Sequence, residues 1–142
     1  MRKGTQQNGD GSERFFGPPK VLVFDEAAED LVRHAEPFEA RGFEVHKCMS
    51  VQTAMRCVER EELDFAVLDQ GSPSFEGLRI IRHLVRYNIR TPFVVVTRCR
   101  DILCRQEALA LGAVDYLEKP VPTEEMNWII RNYLGSSLKK EF

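Results

Sequence analysis

The side chains able to do chemistry in this sequence are Asp25, Glu26, Asp69, Thr97 and Lys119. Each comes just after a short apolar run. Asp25-Glu26 follow Val21-Leu22-Val23-Phe24, and Asp69 follows Phe65-Ala66-Val67-Leu68. Thr97 follows Phe93-Val94-Val95-Val96, and Lys119 comes after Ala113-Val114-Asp115-Tyr116-Leu117. Singly these are weak signals: an Asp or Thr behind a strand commonly caps the next helix, and a lone Lys is usually a solvated charge. Together they describe a site. Three carboxylates brought close repel, and stay ionised most easily around a cation. Hard oxygen ligands that leave room for water and phosphate suit Mg²⁺. A lysine facing them can take the remaining phosphate charge. A carboxylate can also act as nucleophile and carry a phosphoryl group. Phosphoryl transfer asks mainly for positioning and charge neutralisation, and this set supplies both.

Such a site needs elements to hold it. The unbroken β-branched and aromatic runs fit strands buried on both faces of a parallel sheet. Gly42-Phe43-Glu44-Val45 and Ala113 to Leu117 are weaker strand candidates. Helical stripes fill the gaps: Leu31, Ala35 and Phe38; Val51, Ala54, Met55 and Val58 behind Ser50 as N-cap; Leu78, Ile81 and Val85. Leu103, Ala110 and Leu111 form a fourth stripe closed by Gly112. Met126, Ile129, Ile130 and Tyr133 form a fifth closed by Gly135, with Trp128 in the packing there. Pro37 should kink the first helix or shift its limits. Strand and helix alternate five times, which predicts an α/β fold with a doubly wound, five-stranded parallel sheet. In such sheets function gathers beyond the carboxyl ends of the strands, so all five residues should meet on one rim.

Composition sets the outer bounds. The 142 residues suit one domain, and 43% hydrophobic with 30% charged residues is a globular balance. A net charge of -2 argues against a strongly basic nucleic-acid binder. No apolar run reaches the roughly 18 residues of a membrane span, and no secretory leader opens the chain. Met1 to Pro19 is rich in glycine and polar residues and is read as a flexible arm, with Phe15-Phe16 resting on the domain. Cys48, Cys57, Cys99 and Cys104 form no CxxC pair and are read as reduced thiols of a cytoplasmic protein. His34, His46 and His83 are scattered and suggest no ligand set. Rival enzymes lack their motifs. There is no GxxxxGK[ST] loop, no GxGxxG after the first strand, and Ala27 stands where a haloacid-dehalogenase-type phosphatase needs a second Asp. An FMN phosphate would meet Asp25-Glu26 instead of a cradling loop. Ser72 and Ser74 have no His-plus-acid arrangement and are read as loop residues.

The runs ending in Asp25-Glu26, Asp69 with Pro73 and Gly77 behind it, Thr97, and Tyr116-Leu117-Glu118-Lys119-Pro120 resemble the receiver domain of bacterial response regulators. The resemblance covers residues 20–135, with residues 136–142 as a short tail. It implies the flavodoxin-like strand order 2-1-3-4-5. It makes Asp69 the phosphoacceptor and Asp25, Glu26, Asp69 and the Gly71 carbonyl the Mg²⁺ ligands. Thr97 and Tyr116 become the switch pair, Lys119 binds the phosphoryl group, and Lys119-Pro120 is expected to be cis. The implied role is a phosphorelay switch, not a dedicated enzyme, with only modest autodephosphorylation. Its partners would be a sensor histidine kinase or phosphotransferase, and a downstream protein on the face from about Arg100 to Tyr133. A phosphorylation-dependent dimer is a further implication; direct nucleic-acid or membrane binding is not.

Two departures shape the expectation. Glu26 keeps the charge of the usual Asp but adds a methylene, so Mg²⁺ binding should be retained and weakened. Arg98 stands where a small residue is usual; it would narrow access to Asp69, add a cation beside the phosphate, or project into solvent. The alternative function is a pseudo-receiver that binds partners without being phosphorylated. The chain reads as a stand-alone receiver in preference to a piece of a longer regulator.

Overall fold

The computed structural model describes residues 17–71 and 74–139, with the side chains of 136–139 left aside. The Phe15-Phe16 arm and the expectations for Ser72 and Pro73 therefore lie outside the described residues. The chain alternates β1 (Lys20–Phe24), α1 (Ala28–Glu39), β2 (Glu44–Cys48), α2 (Val51–Arg60), β3 (Phe65–Asp69), α3 (Gly77–Tyr87), β4 (Phe93–Thr97), α4 (Ile102–Ala110), β5 (Asp115–Glu118) and α5 (Thr123–Lys139). All strands pair in parallel, in the order β2-β1-β3-β4-β5. The fold class and strand order are those expected.

Strand side chains alternate between two core layers. Leu22, Phe24, Ala66, Leu68 and Val95 face α2, α3 and α4 through Ala54, Val58, Ile80, Ile81, Leu84 and Ala108. Val21, Val23, Val67, Val94 and Val96 face α1 and α5 through Leu31, Ala35, Phe38, Met126, Ile129 and Ile130. Burial on both faces is why the central strands read as unbroken apolar runs. Among the described residues no helix is long and apolar enough to cross a membrane.

Several local expectations shift. Leu103 is 71% exposed, and α4 instead packs through Cys104, Ala108 and Leu111. Asp101 begins this helix, its carboxylate accepting from the Leu103 and Cys104 amides. The core-facing triplet starts one residue along from Leu103. In α3, Ile80, Ile81 and Leu84 are buried while Val85 is exposed. Trp128 is 51% exposed and meets Tyr133 edge-on, so it is not packed in the core. Gly135 does not close α5, which runs on to Lys139; glycine weakens a helix without ending it, and buried Leu134 anchors this turn. Gly42 belongs to the turn before β2, with φ +82°. Ser50 caps α2 as expected, accepting from the Thr53 amide at 3.1 Å. Pro37 falls in the last turn of α1, which ends two residues later.

Candidate functional site

The strand order puts the change of winding direction between β1 and β3. Asp25 follows β1 directly and Asp69 ends β3, so these carboxylates flank that crevice. Thr97 ends β4 and Lys119 follows β5. A cavity of about 440 Å³ opens at this rim, lined by Asp25, Glu26, Asp69, Thr97, Arg98 and Lys119, with Gly71 at its wall. All the residues expected from sequence to act at the phosphoacceptor thus line one cavity, except Tyr116, which packs behind it.

Lys119 is the hub. Its Nζ lies 2.7 Å from Asp25 Oδ2, 2.7 Å from Asp69 Oδ1 and 3.1 Å from Asp30 Oδ2. An ammonium has three donors, and carboxylates take all of them. Burial alone would push the Lys119 pKa down; its hydrogen bonds to Asp25 and Asp69 outweigh that and hold it above the ordinary lysine range. The Lys119-Pro120 peptide is cis.

Backbone amides fix the two acids. Asp25 Oδ1 accepts from the Ala27 amide at 2.9 Å, and Asp69 Oδ2 accepts from the Gly71 amide at 3.0 Å. Gly71 makes that turn at φ +86°, and a Cβ there would stand 2.9 Å from Glu76 Cβ. A Cβ on Gly77 would fall 2.3 Å from the Asp69 carbonyl oxygen. Glycine at 77 therefore lets α3 begin directly behind the candidate phosphoacceptor.

Thr97 is buried, and its Oγ1 donates to the Cys99 carbonyl at 3.0 Å. The Tyr116 ring is buried too, and its hydroxyl donates to Gln70 Oε1 while accepting from the Asp101 amide at 3.1 Å. Burial pushes the Tyr116 phenol above its ordinary pKa. Gln70 and Asp101 thus tie the loops after β3 and β4 to Tyr116.

Sequence alone assigns no site role to Asp30 or Gln70 and leaves His34 among three scattered histidines. Asp30 and His34 stand beside Leu31 and Ala35 on the buried face of α1. Two polar residues four apart on an apolar stripe were the available signal. Asp30 pairs with Lys119, with Arg98 and, at 3.7 Å, with Arg33. Burial works against its charge, yet Lys119 foremost, then Arg98, hold its pKa below the ordinary value. His34 Nδ1 is 3.8 Å from Asp25 Oδ2 and has no hydrogen-bond partner. Burial, then the Lys119 charge, keep its imidazole below the usual range. The Arg98 side chain is 65% exposed and also lines the cavity. On the far side of the domain, Glu44, His46 and Glu61 bring ligand atoms within 4.8 Å of one another. There Lys20 already pairs with Glu61 at 2.8 Å, which leaves a surface charge cluster.

The donor set fits a hard divalent cation. Asp25, Glu26 and Asp69 offer only carboxylate oxygens to the cavity, Glu26 is exposed at its mouth, and the solvent opening leaves coordination positions for water.

Comparison with known proteins agrees with this geometry. Residues 21–131 match the family model of the response regulator receiver domain. Regulatory protein AtoC of Escherichia coli is 30% identical over 86% of this chain, which spans 27% of AtoC. Sporulation initiation phosphotransferase F of Bacillus subtilis is 25% identical over 81% of this chain and 93% of its own length. The chain spans about half the length or less of AtoC and of TrcR from Mycobacterium tuberculosis. In fold, a receiver domain protein from Methanospirillum hungatei superposes with a TM-score of 0.77 at 21% identity, covering 87% of this chain and 99% of its own. A Burkholderia pseudomallei response regulator, solved with a phosphorylated aspartic acid and a calcium ion, superposes at 0.70 with 24% identity, covering 85% and 69%.

Proposed function

The chain belongs to the response regulator receiver domain family, and from that membership we propose that it is a phosphoryl-accepting switch of a two-component phosphorelay, with Asp69 as acceptor. The observation that carries the reading is Lys119 Nζ bridging Asp25 and Asp69 at 2.7 Å each inside an acidic, solvent-open cavity.

In the proposed step a phosphohistidine donor, on a sensor histidine kinase or phosphotransferase, presents its phosphorus in line with an Asp69 carboxylate oxygen. The O–P bond forms as the N–P bond breaks, and the imidazole leaves with the bonding pair. Lys119 stays within reach of the transferred oxygens and offsets their charge. The Asp69 turn, tied to the Gly71 amide, holds the nucleophile in place. Asp25, Glu26, Asp69 and the Gly71 carbonyl would hold Mg²⁺, which supplies further neutralisation of phosphoryl charge.

The switch follows from competition for Thr97. Its hydroxyl is engaged by the Cys99 backbone here. A phosphoryl group on Asp69 offers a stronger, charged acceptor. Turning Thr97 toward it would loosen the Cys99 loop and the Asp101–Tyr116 contacts, biasing the face from about Arg100 to Tyr133. A downstream protein, or a second phosphorylated copy, would read that face. Ile102 and Leu103 are exposed on it. We place the switch in the cytoplasm, where kinases of this kind deliver phosphoryl groups.

Incubation with Mg²⁺ and a small acyl phosphate, followed by intact-protein mass measurement, tests the reading. The expected result is a gain of one phosphoryl group that disappears in Asp69→Asn and on Mg²⁺ removal. A folded protein that never gains mass would leave a partner-binding module without phosphorylation.

A further inference from the structure

Asp30 and Arg98 sit 68 positions apart in sequence, yet meet at the mouth of the candidate site. The Asp30 side chain is 3% exposed, and one of its oxygens, Oδ2, accepts from both Arg98 Nη2 and Lys119 Nζ. A buried carboxylate shared by two cations keeps them side by side where they would otherwise repel. It also fixes where the guanidinium stands. Arg98 follows Thr97 directly and remains 65% exposed on the solvent side of the cavity, while Lys119 fills the inner side at 4%. A guanidinium has five donors in a flat fork, so one held by Asp30 can still offer others to phosphoryl oxygens.

We propose that Arg98 is a second phosphoryl-binding cation that shields the Asp69 acyl phosphate from water, and that Asp30 is the positioning residue that holds it over the cavity mouth. The proposal rests on Asp69 being the phosphoacceptor. Hydrolysis needs a water oxygen to form a bond to phosphorus in line as the Asp69 O–P bond breaks, releasing inorganic phosphate and the carboxylate. Lys119, Asp25 and the strand ends close the inner side, so water must enter from the mouth. Arg98 lines the cavity on that exposed side. Lys119 alone would neutralise the phosphoryl group without closing the mouth, and the Asp30–Arg98 pair adds the closure at no net charge.

The test is a double-mutant cycle on phosphoryl lifetime. Wild type, Arg98→Ala, Asp30→Asn and the double variant are labelled with a small acyl phosphate and Mg²⁺, freed of donor, and followed by intact mass. Arg98→Ala should shorten the lifetime about fivefold with Asp30 present, and less than about twofold in the Asp30→Asn background. Arg98→Lys should fail to restore the wild-type lifetime, because an ammonium lacks the flat five-donor fork that would span Asp30 and the phosphoryl oxygens from this exposed position. A merely structural role for Asp30 would lower thermal stability while leaving the effect of Arg98→Ala undiminished, and that outcome overturns the positioning role. An unchanged or longer lifetime in Arg98→Ala overturns the shield; that exposed site keeps the test valid even where Asp30→Asn disturbs folding. Absence of any label on folded wild type defeats the phosphoacceptor reading itself and the shield with it.

Discussion

Asp30 is a buried acid whose only close partners among the described residues are cations. Its folded pKa lies below its ordinary value of 3.8 because Lys119 and Arg98 outweigh the cost of burial. A group with a depressed folded pKa contributes stability that is present above the unfolded pKa and is lost as pH falls through the folded one. Lys119 has the opposite sign: its raised pKa stabilises the fold below the ordinary lysine value and is lost only as pH rises through the folded value. Lys119 therefore adds no slope in acid, where Asp30 does. Urea midpoints measured from about pH 5 down to about pH 3 should fall more gently in Asp30→Asn than in wild type. Parallel slopes would remove Asp30 as an ionised partner of Lys119.

At the scale of the element, two glycines make opposite demands. Gly77 opens α3 against the Asp69 carbonyl, where an added Cβ would stand at 2.3 Å from backbone. Backbone cannot give way as a flexible side chain does. Gly77→Ala should cost about 1–3 kcal/mol of stability and displace Asp69. Gly135 lies within α5 with nothing within 4 Å of an added Cβ. Gly135→Ala should stabilise by about 0.5–1 kcal/mol, the ordinary helical difference between the two residues. Thermal denaturation of both variants checks the signs. A stable Gly77→Ala would mean that the β3–α3 junction is looser than described.

Across the whole molecule, the sheet divides the core into two apolar layers that share no side chains. Ile81 is fully buried in one and Ile130 in the other. Truncation of either to Ala should cost about 2–5 kcal/mol. The two losses should add to within about 0.5 kcal/mol in the double variant, because neither cavity borders the other. Denaturant titration by two probes should still show one transition, as a single sheet couples both layers. Two separated transitions would mean that the layers unfold independently.

The alternation of strand and helix, and the residue types at four strand ends, were legible from sequence. Both are local: a strand buried on two faces must be an apolar run, and the polar residue where it emerges marks the rim. Asp25, Glu26, Asp69, Thr97 and Lys119 could therefore be brought together before any coordinates. The rotation of α4 was less legible, because Leu103 and Cys104 are adjacent apolar residues and only packing against the sheet selects Cys104. Trp128 was misread because a large apolar side chain has no obligation to be buried. Arg98 stood out beside Thr97 and Asp30 stood on an apolar stripe, but nothing in the sequence joined the two. Their pairing depends on where α1 lies relative to the residues that follow β4 and β5, and only the closed tertiary structure sets the distance at which two charges across 68 positions become partners.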